Sequence, residues 1–159
     1  MPDVRRVEDR DRAWIRRTVA DAWGSPRVVS RGRVTEDASL LDGFVAEVDG
    51  HPAGLAMTHR DGDRLEVVAL IASEKLQGVG TSLLRAVEDE AAQLGCRAWL
   101  ITMNDNLDAI RFYQRRGWDW VAFHRDAATE TRRLKPELPE VGEYGIPLRH
   151  ELEFEAPSA

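Results

Sequence analysis

Three things are scarce in this chain. Of its 159 residues, one is cysteine (Cys96) and two are lysine (Lys75, Lys135), and no apolar run is longer than the six residues from Val67 to Ala72. A lone cysteine can neither close an intramolecular disulfide nor assemble a cysteine zinc site. A six-residue apolar run is far short of the roughly 20 residues that a membrane helix needs. The opening MPDVRRVEDRDR has no apolar core and so lacks the pattern of a signal peptide. His51, His59, His124 and His150 lack metal-ligand spacing, so no metal is expected. The net charge of −6 argues against a globally basic nucleic-acid binder. No repeat, low-complexity tract or long linker divides the chain. The expectation is one cytoplasmic domain spanning residues 1–159, with no nucleic-acid or membrane partner.

The charge that is present is uneven. Residues 1–35 carry nine Arg against five Asp/Glu, a balance of +4, and the remainder carries a balance of −10. Twenty of the 22 basic residues are Arg, which together with abundant Ala suggests a GC-rich bacterial genome.

Hydrophobic periodicity predicts a mixed α/β fold. Asp9 to Trp23 places Ile15, Val19 and Ala22 at helical spacing, and Gly24-Ser25-Pro26 ends the run. Arg27 to Thr35 is rich in β-branched residues and reads as a strand; Asp37 to Leu41 reads as a single helical turn. Gly43–Val48, Ala53–Thr58 and Leu65–Ile71 read as three strands joined at Asp49-Gly50 and Asp61-Gly62, an antiparallel meander. The third is nearly all apolar, as a central strand buried on both faces would be. Val79, Leu83, Leu84, Val87, Ala91 and Leu94 then form a helical stripe. A strand at Ala98–Thr102, a helix at Leu107–Arg116 and a strand at Trp118–Phe123 follow. After a long connection over residues 126–145, the chain ends in a strand at Leu148–Glu155. The step from Leu65 to Thr102 implies one parallel pair with a right-handed crossover in an otherwise antiparallel sheet.

Chemistry concentrates at two segments. Lys75-Leu76-Gln77-Gly78-Val79-Gly80-Thr81 joins a buried strand to a helix. Two glycines there let amides point outward at a helix N-terminus, a setting for a pyrophosphate. The segment lacks the GxxxxGK[ST] of a P-loop, and Leu83 replaces the third glycine of a dinucleotide fingerprint. Taken alone, it is equally a plain tight turn. The second segment runs from Asn106-Leu107-Asp108-Ala109 through Phe112-Tyr113 to Gly117-Trp118.

K-x-x-G-x-G after a buried strand, followed by N-x-x-A-x-x-F-Y-x-x-x-G-W, resembles the Gcn5-related N-acetyltransferase superfamily. The likeness is clear from about Gly43 to Trp118 and looser to the C-terminus. It implies a mixed sheet with a splayed parallel strand pair, acetyl-coenzyme A as co-substrate, and direct transfer of acetyl to an amine in a ternary complex. It places the pyrophosphate on Leu76, Gln77, Gly78, Val79, Gly80 and Thr81. Lys75 stands where the family usually has Gln or Arg, and Leu76 where it usually has Gly. It sets the pantetheine arm along Val68, Ala69 and Leu70, with Asn106 and Phe112 also on the cofactor side. Asn106 is equally a helix N-cap. The resemblance makes Tyr113 the general acid for the departing thiolate, against its reading as an ordinary core tyrosine. Glu66 matches the family's base. A carboxylate isolated in LEVVALIA is expensive to bury, and burial would raise its pKa toward a useful value; a solvated strand start is the competing reading. Asp63 and His59 are weaker candidates for the base.

Cys96 reads as a small packing residue, and the early arginines read as a solvated helix face. The tryptophans read as core or interface residues, with Trp23 a candidate wall of an acceptor pocket. The connection over residues 126–145 is a candidate acceptor wall or homodimer contact. The expected acceptor is a small-molecule amine. The alternatives are a protein amine and a non-catalytic acyl-CoA-binding or regulatory module. The acidic balance after residue 35 predicts an acceptor of positive sign.

Overall fold

A computed structural model describes residues 2–73, 76 and 78–157. A short strand, β1 (Asp3–Arg6), precedes helix α1 (Arg12–Trp23), which a 3₁₀ turn at Asp9–Asp11 leads into. A small hairpin follows, β2 (Val28–Ser30) and β3 (Arg33–Thr35). The meander is β4 (Asp42–Val48), β5 (His51–Asp61) and β6 (Arg64–Ala72). Then come α2 (Val79–Leu94), β7 (Arg97–Met103), α3 (Leu107–Arg115), β8 (Asp119–His124), α4 (Ala128–Leu134) and β9 (Glu151–Glu155). The main sheet has seven strands in the order β1-β4-β5-β6-β7-β9-β8, so β6 is its central strand. Only β6 and β7 pair in parallel; every other neighbour is antiparallel.

Each face of the sheet carries its own core. Phe44, Ala46 and Ala56 pack beneath α2 with Leu83, Val87, Tyr113 and Phe154. Val45, Leu55, Met57 and Ala69 pack on the opposite face against Ile15 and Val19 of α1. The period-2 alternation of a strand sends neighbouring residues to these two cores. Gly54 lets α2 approach β5, because a Cβ there would lie 2.7 Å from Val79 Cγ1 and 2.9 Å from Leu83 Cδ1.

Three features depart from the sequence reading. β1 was not expected: Asp3–Arg6 is polar and short, and it becomes a strand only by pairing with Phe44–Glu47. The early arginines are not merely solvated. Arg5 bonds to Asp11 at 2.7 and 2.8 Å, and Arg12 donates to the carbonyls of Ser39 and Leu41. The stretch Arg27–Thr35 is a hairpin rather than one strand, turned by Arg31 (φ 49°) and Gly32 (φ 77°). Successive positive φ values are the signature of a two-residue turn matched to strand twist. No helix among the described residues is long and apolar enough to cross a membrane.

Candidate active site

The parallel ladder between β6 and β7 is brief. It pairs Arg64 with Arg97, Leu65 with Ala98 and Glu66 with Trp99, and then stops. Both strands continue, β6 to Ala72 and β7 to Met103. The separation begins where β6 bulges. Met57 and Thr58 are adjacent on β5, but their partners Ala69 and Val67 skip Val68. An extra residue bends and twists its strand, so β6 leaves β7 directly after Glu66. Val68, Ala69 and Leu70 therefore present a backbone edge toward β7 that no ladder occupies.

The glycine turn follows β6. Gly78 has φ +84° and caps α2 without a side-chain hydrogen bond. The first amides of α2 thus have no side-chain cap among the described residues, at the positive end of the helix dipole, a setting that suits an anion. Gly80 holds close to α3, since a Cβ there would lie 3.2 Å from Phe112 Cζ. Thr81 accepts a 2.7 Å hydrogen bond from Arg116 Nε, and the Arg116 guanidinium stacks 3.7 Å above the Phe112 ring. Burial, and then the like charges of Arg115 and Arg85, hold Arg116 below its ordinary pKa. A cleft of about 380 Å³ runs along Leu76, Gly78, Thr81, Ser82 and Arg85. The sequence reading takes Arg116 as a basic helix end and places neither it nor Arg85 beside the glycine turn. Their spacing was the available signal: each lies four residues beyond a site residue, Thr81 and Phe112, and so shares its helical face. Lys75 and Gln77 lie outside the described residues.

Beside the separated strands lies a larger cavity of about 650 Å³. Glu66, Val68, Met103 and Asn106 line its sheet side; Trp23 and Lys135 stand on other walls. Strand β2 and the connection after β8 line its other sides. Asp105 Oδ2 accepts from the Glu143 amide at 2.9 Å, and Asn104 Oδ1 accepts from the amides of Arg149 and His150, so the connection is tied to the end of β7. Asn106 caps α3, its Oδ1 accepting from Ala109 N at 3.2 Å, and it also lines the cavity.

Glu66 is buried, with 2% of its surface exposed, but it is not isolated: Arg33 of β3 donates to its Oε1. The expectation of a lone carboxylate is corrected accordingly. Asp63 and His59 are not on the cavity wall. Tyr113 does not join Glu66 there either. It sits in the core, its ring 5.4 Å from Phe112, 5.9 Å from Trp118 and 5.6 Å from Phe154. Burial raises its phenol above the ordinary tyrosine range, so it holds its proton at neutral pH. Cys96 is half-buried, and Trp120 lies 47% exposed over Phe154.

The description "Acetyltransferase (GNAT) family" matches residues 10–118. The chain belongs to that family. Among its relatives, the uncharacterized protein YdhI of Bacillus subtilis is 42% identical over 138 residues, 85% of each chain. A Bacillus subtilis acetyltransferase solved in complex with CoA superposes with TM-score 0.71 at 16% identity, covering 100% of both chains. A GNAT family acetyltransferase from Elizabethkingia anophelis with acetyl-CoA bound gives TM-score 0.69 at 14% identity, over 99% of this chain and 98% of the other. These structural likenesses show the GNAT fold. The resemblance implied a mixed, mostly antiparallel sheet with one parallel strand pair, and the sheet has that pair in β6 and β7. No group of three His, Cys, Asp or Glu able to hold a metal occurs among the described residues.

Proposed function

We propose that this GNAT protein transfers the acetyl group of acetyl-coenzyme A to the primary amine of a small molecule, within a ternary complex. The observation that carries the reading is the edge of β6 left by the β6–β7 ladder beside a cavity of small-molecule size, with a helix N-terminus that has no side-chain cap among the described residues just beyond the same strand. Gly78, Val79, Gly80 and Thr81 offer backbone amides to the pyrophosphate, with Arg116 and Arg85 as nearby positive charge. Val68, Ala69 and Leu70 offer backbone groups to the pantetheine arm. An amide of this edge can also polarise the thioester carbonyl, a type of contribution worth about 3 kcal/mol in enzymes generally.

The bound thioester supplies an electrophilic carbon. Glu66, at the mouth of the opening, takes up the proton that an ammonium must lose before its nitrogen attacks, directly or through water. As the C–N bond forms and the C–S bond breaks, the departing sulfur needs a proton; Tyr113, assigned to that role by its place in the N-x-x-A-x-x-F-Y motif, keeps its phenol protonated at neutral pH. Among the described residues of the site no nucleophile is paired with an adjacent base, which fits direct attack rather than an acyl-enzyme.

The cavity favours a small acceptor. Its volume lies in the usual range for small-molecule pockets, and residues of the connection, among them Leu138 and Gly142, line one wall of it. The test is acetyl-CoA-dependent thiol release against a panel of small amines and peptides. Release with small amines is expected. Tight CoA binding with no release from any acceptor would instead make the chain a non-catalytic acyl-CoA-binding module.

A further inference from the structure

The buried charges of this protein are nearly all matched. Asp11 meets Arg5, Glu66 meets Arg33, Glu151 meets Arg31 at 3.0 Å, and Asp105 accepts a backbone amide. Lys135 differs. It is 6% exposed, on the cavity wall at the end of α4, and its Nζ donates to one neutral acceptor, the Arg27 carbonyl, at 2.9 Å. No carboxylate lies within ion-pair distance of it among the described residues. An ammonium has three protons to place, and lysine is almost never buried unpaired. Burial lowers its pKa, the Glu137 carboxylate counters this, and the Arg27 charge adds to it. Glu137 itself accepts from Ser25 at 3.1 Å. A buried, incompletely partnered cation on the wall of a cavity is a binding group for an anion.

We propose that the amine acceptor also carries a carboxylate, bound by Lys135 Nζ, with its apolar body against Val28, Val68 and Leu138 and its amine toward Glu66. The proposal rests on the small-molecule acetyltransferase reading above. It also revises the sign expected from the whole-chain charge: the cavity selects a zwitterion rather than a simple cation. Lysine suits the role because its compact point charge needs less room than a guanidinium fork.

Thiol release with acetyl-CoA is measured for two matched acceptor sets of different spacing. One is L-leucine, L-leucinamide and 3-methylbutylamine; the other is 6-aminohexanoate and hexylamine. In at least one set the carboxylate-bearing acceptor should have kcat/KM higher by roughly ten- to a hundredfold, the range for a hydrogen bond to a charged group. In Lys135→Met that preference should collapse to about threefold or less, mainly through KM. An amine-free probe supports the assignment where the variant is poorly active. 4-Methylpentanoate should compete with the acceptor in wild type, whereas 4-methylpentanamide should not. Amines accepted equally with or without the carboxylate would overturn the proposal and leave the acetyltransferase reading standing. Thiol release from no acceptor, despite CoA binding, would overturn both.

Discussion

Replacing Arg33 by methionine leaves the Glu66 carboxylate in the cavity wall without its cation. Glu66 keeps 3% of its side-chain surface exposed and Arg33 keeps 37%, so solvent screens the pair from the arginine side only. Breaking a fully buried pair costs about 3–5 kcal/mol. A surface pair is worth under about 1 kcal/mol. With one partner buried and the other a third exposed, Arg33→Met should cost about 2 kcal/mol. For a chain of this size that is a fall in Tm of about 4–8 °C. Urea unfolding should show an earlier midpoint with an unchanged slope, because the folded core is untouched. Adding Glu66→Gln to Arg33→Met should cost hardly more than Arg33→Met alone, giving a coupling of about 1–2 kcal/mol in the double-mutant cycle. Additive single effects would falsify the view that this pair fastens the β2–β3 hairpin over the site.

Two further outcomes follow from the geometry. Gly78→Pro demands φ near −65° where the chain has +84°, so the N-terminus of α2 must rearrange; CoA affinity measured by calorimetry should fall by about tenfold or more, and unchanged affinity would remove the pyrophosphate from this turn. Tyr113→Phe should lower kcat by about 10²-fold while leaving CoA affinity nearly intact; an undiminished rate would rule out the acid role. The same variant has a pH signature. Folding raises the Tyr113 pKa, so the unfolded chain loses its phenolic proton first. Wild-type stability is therefore fully present below about pH 10 and falls above it, and Tyr113→Phe should flatten that alkaline decline in denaturation midpoints.

The legible parts of this protein were those encoded locally. The apolar run from Leu65 to Ile71 marked the central strand, and paired turn residues marked the meander. Gly78 and Gly80 before a helical stripe marked the cap of α2. Distant pairings were not legible. Arg33 and Glu66 are 33 residues apart, and the run holding Arg33 reads as one strand where the structure has a hairpin. β1 is a polar tetrad whose strand character comes entirely from its partner. Lys135 lies in a polar connection where burial leaves no periodic trace, so nothing local separates it from a solvated lysine. Tyr113 was assigned by motif, and the sequence could not reveal that three aromatic rings enclose it.

The closing of the cavity by chain segments outside the main sheet has a bearing on how such a protein can change. The groups assigned to the cofactor lie on one continuous stretch, from the end of the β6–β7 ladder through α3, where moving one residue disturbs the next. The cavity proposed for the acceptor borrows Glu66, Val68 and Asn106 from that stretch, and takes other walls from β2 and from residues past Trp118, the latter beyond the span matched by the family. Those segments are fastened at a few points, among them Asn104, Asp105, Arg31 and Arg33. A relative that keeps these fasteners can exchange the lining between them and acquire a different acceptor without reopening the sheet. On the proposed function, acceptor choice therefore changes through the lining that these fasteners hold, while the opened strand pair stays as it is.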